Sequence, residues 1–129
     1  MAKIARAIVV LMGATSLALT LGLWFGTADV MPKIGLAEND LASGLVGRAT
    51  VRADIAALFG GMGVALLLAG LRKSRAWANV TLVFVSVAIA GRFLSLILDG
   101  QSPEVWPPIV IEATIIAVLL WFRQGLSQR

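Results

Sequence analysis

Four apolar stretches, each close to 20 residues long, constrain this 129-residue chain more than any other feature of its sequence. About 20 helical residues cross the roughly 30 Å hydrocarbon core of a bilayer, so each stretch has the length of a transmembrane helix. The composition agrees, because 59% of the residues are hydrophobic and only 14% are charged, against about 25% in soluble domains. Little chain is left over, so the sequence predicts one domain, residues 1–129.

The predicted fold is an all-α, integral membrane four-helix bundle. Its predicted spans are residues 7–26, 49–71, 77–98 and 108–122. The first stretch follows Lys3 and Arg6, as the apolar part of a signal peptide does, but it has the length of a span, so we expect it to be retained. Pro107 and Pro108 open the fourth span.

Charge is divided unevenly between the two ends of the predicted helices. One end has seven bases and no acid: Lys3, Arg6, Arg72, Lys73, Arg75, Arg123 and Arg129. The other holds all seven acids: Asp29, Glu38, Asp40, Asp54, Asp99, Glu104 and Glu112. Because Lys and Arg of short loops stay on the cytoplasmic side, both termini and the middle loop are predicted to be cytoplasmic in a bacterial inner membrane. Trp24 and Trp106 fall at the outer edge of the predicted spans and Trp77 and Trp121 at the inner edge, as in an aromatic belt.

The chain contains no Cys, His or Tyr. Disulfides, thiol chemistry, imidazole-ligated metals and general acid–base catalysis by imidazole are therefore excluded. The residue types predict no enzyme, no metal site and no cofactor. The net charge of +4 is explained by the topology signals in the loops, so nucleic acid is not an expected partner.

Two rows of small residues at four-residue spacing predict how the helices pack. Lipid tails are as apolar as Leu, so close contact between small residues holds membrane helices together. The rows are Ala49, Ala53, Ala57, Gly61, Ala65 and Ala69 on the second span and Ala14, Ala18, Gly22 and Gly26 on the first. We expect them to pack against each other or another helix of the chain, with a dimer interface as the alternative. Gly61→Leu should then destabilise the fold strongly, and Leu67→Ala should matter much less if Leu67 faces lipid.

Charged residues in the outer halves of the spans form the candidate site. They are Arg48, Arg52, Asp54, Arg92, Asp99 and Glu112. At a rise of ~1.5 Å per residue, Arg52 and Glu112 lie about 6 Å from their helix ends and Arg92 about 9 Å. An unpaired charge at a helix centre costs ~2.5–3.5 kcal/mol, so we expect these three to converge on one another or on a shared ligand. The interpretations are a structural ion-pair network, a site for an anionic ligand or lipid, and a proton-coupled site at Glu112 or Asp54.

Short motifs connect these charges to a known pattern. They are Arg48-Ala49-Thr50-Val51-Arg52 before Gly60-Gly61, then Gly91-Arg92-Phe93-Leu94-Ser95 before Asp99-Gly100, then Glu112. The pattern resembles a family of small bacterial membrane proteins called domain of unknown function 4345, over most of residues 45–120. The resemblance implies a four-helix bundle with a polar site near the outer face, and it brings no known activity.

The functional prediction is a non-enzymatic accessory or interaction subunit of a membrane assembly. One alternative is binding or transport of a small anionic molecule or lipid at Arg52, Arg92 and Glu112. A second is an exporter of the small-multidrug type, which also has four short spans and one membrane Glu. That Glu lies in the first span of such exporters and in the last span here. The expected partners are the bilayer, a membrane protein or a second copy of the chain, and an anionic lipid or small anion.

Overall fold

The computed structural model describes residues 2–34, 36, 49–100 and 103–127. The described residues form five α-helices: α1 (Ala2–Phe25), α2 (Thr27–Val30), α3 (Ala56–Arg72), α4 (Arg75–Leu98) and α5 (Trp106–Ser127). A 3-10 turn follows α2 (Met31–Ile34), a π-helical turn precedes α3 (Val51–Ile55), and a second 3-10 turn precedes α5 (Pro103–Val105). Four helical segments are long and apolar enough to cross a membrane: Lys3–Phe25, Val51–Arg72, Arg75–Leu98 and Trp106–Leu126. The predicted all-α architecture with four such helices is confirmed.

The helix ends differ from the prediction most in the first helix, which begins at Ala2 instead of residue 7, and in the last helix. The last helix begins at Trp106 and continues to Ser127, whereas the predicted span was 108–122. Pro107 and Pro108 therefore lie inside its first turn. Proline is compatible with this position, because the first N–H groups of a helix have no partner within the helix.

Opposite ends of the bundle carry opposite charges. We call the end where α1 and α4 begin and α3 and α5 finish the basic end, and the other end the acidic end. At the basic end α3 stops at Lys73, whose backbone is left-handed (φ 51°) and whose N–H bonds to the Ala69 carbonyl. Ser74 then caps α4, accepting a hydrogen bond from the Trp77 N–H at 3.5 Å. The two helices are thereby joined by a tight turn.

Helices α1 and α3 form the closest pair, and they run antiparallel. Arg6 Nε donates to the Gly70 carbonyl at 2.9 Å, and Ser16 Oγ donates to the Phe59 carbonyl at 2.7 Å. Between these bonds Gly13 lies against Gly63: a Cβ built on either one would fall 3.0 Å from the carbonyl oxygen of the other. The backbones therefore touch with no side chain between them.

The contact between α1 and α3 repeats every seven residues. The residues on the contact are Arg6, Gly13 and Thr20 on α1, and Ala56, Gly63 and Gly70 on α3. A seven-residue step drifts by only ~20° around a helix, so such a row stays on one face over the whole length of the pair. Added Cβ atoms at Gly63 and Gly70 would lie 2.9 Å from Leu17 Cγ and 2.6 Å from Val10 Cγ2, respectively.

The predicted four-residue rows are largely wrong as intramolecular contacts. Six of their members are exposed: Ala14, Ala18, Ala49, Ala53, Ala57 and Gly61. A four-residue step overshoots a full turn by about 40°, so a row from 49 to 69 winds about 200° around its helix. Only its last part, Ala65 and Ala69, is buried.

Three further packing predictions are corrected. A Cβ on Gly61 would meet nothing within 4 Å, so Gly61 is not a close contact between helices. Leu67 is half-buried, with its Cγ 3.0 Å from the Cβ position of Gly13, so it does not face lipid. Gly22 and Gly26 are half-buried: a Cβ on Gly22 would lie 3.0 Å from Val30, and one on Gly26 would lie 3.4 Å from the Gly22 carbonyl. The two glycines therefore contact α1 itself and the short α2 that follows it, and among the described residues they contact no other long helix.

Two hydrophobic clusters divide the interior by depth. The cluster toward the basic end is built by all four long helices: Ala5, Val9, Leu66, Ala69, Ala78, Leu119 and Phe122. The cluster toward the acidic end contains Leu23, Met31, Val51 and Ala56. Among the described residues it receives no side chain from α4 or α5. Helices α4 and α5 thus share the common core only toward the basic end.

Candidate functional site

An ion pair joins α4 and α5 on the acidic half of the bundle. Arg92 Nε donates to Glu112 Oε1 at 2.7 Å. Arg92 lies six residues before the last residue of α4, and Glu112 lies six residues after the first residue of α5. Antiparallel neighbours place these positions at one level, about 9 Å from the helix ends. The helix dipoles favour both charges, with the acid near a helix start and the base near a helix end.

This ion pair is incomplete on both sides. The Glu112 side chain is 13% exposed, and its second oxygen, Oε2, is buried without a hydrogen-bond partner among the described residues. Arg92 is 39% exposed, and within the described chain it donates only through Nε. A guanidinium carries five N–H donors, so most of the donors of Arg92 are free to bind an acceptor outside the described residues.

Arg52 belongs to a separate network with α1. Its Nε donates to Thr27 Oγ1 at 2.9 Å, and the Trp24 indole N–H donates to the Arg52 carbonyl at 3.0 Å. The buried Thr27 hydroxyl in turn donates to the Leu23 carbonyl at 2.6 Å. The expected convergence of Arg52, Arg92 and Glu112 is therefore found only for the last two.

The π-helical turn explains why the Arg52 side chain bonds to Thr27, at the junction of α1 and α2. In this turn the Ala56 N–H reaches back five residues to the Val51 carbonyl, so each residue rotates less about the axis than in an α-helix. The positions before Ala56 are thereby displaced around the helix relative to α-helical counting. Nothing in the sequence marks this turn, and counting at 3.6 residues per turn misses it.

The other predicted site residues are scattered. Asp54 is exposed and has no bonded partner among the described residues. Asp99 is exposed at the end of α4 and accepts a hydrogen bond from Ser95 of its own helix. Arg48 lies outside the described residues. The predicted six-residue cluster thus reduces to one inter-helix ion pair and one network at the start of α3.

At the basic end two arginines lie side by side where α4 begins and α5 finishes. Arg75 Nη2 donates to the Arg123 carbonyl at 3.1 Å. The Nε of Arg123 is buried and has no hydrogen-bond partner among the described residues. From the sequence these arginines were interpreted only as topology signals, and the composition of the loops offers no way to single them out.

The described residues bring together no group of three or more His, Cys, Asp or Glu side chains that could hold a metal ion. The polar groups that converge are one carboxylate, guanidinium groups, hydroxyls and backbone carbonyls. Such groups position helices and form hydrogen bonds with partners or headgroups.

Comparison of the chain with protein-family models, curated proteins and solved structures finds no match. The resemblance to domain of unknown function 4345 therefore stays a prediction. The residues described above are the basis for assigning a function.

Proposed function

We propose that the chain is a multi-pass membrane protein that acts as a non-enzymatic interaction subunit. In this proposal the basic end faces the cytoplasm of a bacterial cell, with both termini, and the acidic end faces outward. A partner membrane helix packs on α4 in the outer half of the bundle and accepts hydrogen bonds from Arg92. The four long apolar helices and the one-sided distribution of bases support the insertion.

The observation that carries the proposal is the incomplete bonding of Arg92, which donates only through Nε within the described chain. Its side chain is 39% exposed at a level about 9 Å from the helix end, inside the hydrocarbon. A charged group there is costly unless it is bonded or reaches the interface. Side chains on a helix tilt toward its start, which for α4 is the basic end, so Arg92 points away from the nearer interface. Free N–H donors held in this position favour an acceptor from a neighbouring protein.

The surface around Arg92 suits a second helix. Only 11% of the α4 span is buried within the chain, against 33% of the span that contains α3. Gly91, the neighbour of Arg92, has open space at its Cβ position. Small residues on an open helix face permit the close backbone approach that holds membrane helices together.

The chemistry of the partner follows from the charge balance. Glu112 already neutralises Arg92, so the remaining need is for hydrogen-bond acceptors and not for a second negative charge. A side-chain oxygen of Asn, Gln, Ser or Thr on the partner helix supplies this without placing a net charge in hydrocarbon. The same pairing argues against an exporter, because Glu112 is already bonded to Arg92 and is therefore not free to bind a cationic substrate.

A second candidate function is supported by the same free donors. Arg92 can bind the phosphate or carboxylate of a lipid or small anion, since guanidinium groups bind both. It ranks lower, because an added anion would leave the Arg92–Glu112 site with a net negative charge in a low-dielectric environment.

Site-directed photocrosslinking tests the proposal. A benzophenone amino acid replaces Leu98, which is 72% exposed and lies seven residues after Gly91 on the same face of α4; in a control it replaces Phe93, which is 47% exposed. The two positions are five residues apart, so they face about 140° away from each other. In membranes of the source cell we expect a discrete protein adduct from position 98 and only lipid adducts from position 93.

The adduct is then analysed in two ways. Mapping of the crosslinked peptide should identify a membrane helix with a polar side-chain oxygen, and Arg92→Gln should strongly reduce the yield. Lipid adducts at position 98 that depend on Arg92 would support the second candidate instead. Identical lipid adducts at both positions, unaffected by Arg92→Gln, would overturn the interaction proposal.

A further inference from the structure

We infer that the basic end of the α4–α5 pair, where α4 begins and α5 finishes, binds a phosphate group through Arg75 and Arg123, most simply that of an anionic phospholipid. This inference rests on the proposed membrane insertion. It concerns the end of the bundle opposite to Arg92 and is independent of the partner helix proposed there.

The main observation is the buried, unbonded Nε of Arg123. Buried donors in proteins are nearly always hydrogen-bonded, so an unbonded guanidinium donor points to a missing acceptor. Glu112 Oε2 is the other buried side-chain atom without a partner in the described chain. It belongs to an ion pair that already neutralises its charge, whereas Arg123 has no such carboxylate.

The sequence supplies no acid that could serve Arg123. All seven acids belong to the acidic half of the predicted topology, and the basic end has bases only. Arg6 does not compete for an anion through its Nε, because that atom is bonded to the Gly70 carbonyl. Among the described residues no acceptor serves the Arg123 Nε, which leaves room for one from outside the protein.

The position of Arg75 selects an anion over water. Its Nη2 bonds to the Arg123 carbonyl, so its guanidinium is held at the end of α5 while the rest of the side chain is exposed. Seven bases and no acid belong to this end of the chain, so the local positive charge favours an anion over water. Helix α4 begins at Arg75, so the positive end of its dipole lies at the same place.

The surroundings are those of a lipid headgroup. Trp77 is 37% exposed one turn into α4 and Trp121 is half-buried near the end of α5. Tryptophan concentrates at the level of headgroups. Arginine forks bind phosphate oxygens by charge-assisted hydrogen bonds, and basic grooves between helices at the cytoplasmic surface bind anionic headgroups.

Native mass spectrometry of the full chain in detergent tests the inference, with phosphatidylglycerol and phosphatidylcholine as probes. The critical variant is Arg123→Lys, which keeps the charge and removes Nε. Its matched control is Arg72→Lys, the same change at an exposed arginine of the adjoining turn. We expect wild type to prefer phosphatidylglycerol, Arg123→Lys to weaken that binding about tenfold, and Arg72→Lys to leave it unchanged.

Two further measurements complete the test. Arg75→Lys provides a second variant in case Arg123→Lys does not fold, and melting in detergent establishes which variants do. Millimolar inorganic phosphate is added to wild type: retention of the lipid identifies the headgroup as the ligand, and displacement identifies free phosphate. Equal weakening by Arg72→Lys and Arg123→Lys, or no lipid preference in wild type, would overturn the site. Neither result would affect membrane insertion, which is tested separately by resistance to alkaline extraction.

Discussion

Replacing Gly63 by alanine, with Gly61→Ala as control, should separate two contributions to the free energy of unfolding: the α1–α3 contact and the helix propensity of the residue. The added Cβ would lie 2.9 Å from Leu17 Cγ and 3.0 Å from the Gly13 carbonyl oxygen. Leu17 can rotate, but the oxygen belongs to the backbone of α1 and moves only with that helix. Gly61 provides the matched control, two residues earlier on the same helix, because its Cβ would meet nothing within 4 Å.

The expected magnitudes follow from two opposing effects. Overpacking of a close contact costs about 1–3 kcal/mol, and the rigid backbone partner places Gly63→Ala in the upper part of that range. Removing a glycine from a helix gains up to about 1 kcal/mol. Gly63→Ala should therefore lose about 1–2 kcal/mol of unfolding free energy, whereas Gly61→Ala should be neutral or gain up to about 1 kcal/mol.

The measurement is reversible unfolding in mixed micelles of increasing dodecyl sulfate content, followed by circular dichroism. The two variants should differ by about 2–3 kcal/mol. Gly13→Ala should resemble Gly63→Ala, and the double variant should be less than additive, because the first methyl already separates the helices. Coincident unfolding curves for Gly61→Ala and Gly63→Ala would refute the seven-residue contact.

Three other outcomes are expected. Glu112→Gln should lose about 1 kcal/mol of unfolding free energy, because it removes the charge that compensates the partly exposed Arg92, and Asp54→Asn should change little; equal losses would contradict the ion pair. Trp24→Phe removes the indole donor to the Arg52 carbonyl and should cost about 1 kcal/mol in the same assay, and an unchanged stability would exclude that bond. A reporter fused after Ser74 should be cytoplasmic, and an external signal would reverse the proposed orientation.

The four helices could be predicted from the sequence because apolar length alone determines them. The faces on which they pack could not. Small residues are abundant in both of the first two spans, and rows at four-residue and seven-residue spacing coexist there. The row Ala56, Gly63, Gly70 was as visible as the row through Gly61. Two long helices in contact favour the seven-residue spacing, because it rotates around the helix by only ~20° per step, whereas the four-residue spacing rotates by about 40°. The choice between the two rows depends on this difference.

The site was partly predictable for a related reason. The level of a charge follows from counting residues along a helix, and the short connection between α4 and α5 makes them antiparallel neighbours. Together these place Arg92 opposite Glu112. The direction in which Arg52 points depends on the rotation of its helix, which the π-helical turn changes. The level of each charged residue along its helix was therefore predictable from the sequence, whereas the side of the helix on which Arg52 points was not.

The two helix pairs differ in how completely they satisfy their polar groups. Along α1 and α3 the polar groups of Arg6, Ser16, Thr20 and Trp24 each bond to a carbonyl within the pair. Both buried side-chain atoms without partners in the described chain belong to α5, at Glu112 and Arg123.

Glu112 and Arg123 are eleven residues apart, which returns to within about 20° of the same face of α5. That face is the one turned toward α4, since Glu112 bonds to Arg92 and the Arg123 carbonyl bonds to Arg75. Buried polar groups without hydrogen-bond partners are costly. Two of them along the contact between α4 and α5 (the α4–α5 seam) are not explained by the stability of the bundle alone. Their shared position favours α1 and α3 as the rigid support of the fold, and the α4–α5 seam as the surface that meets other molecules at both of its ends.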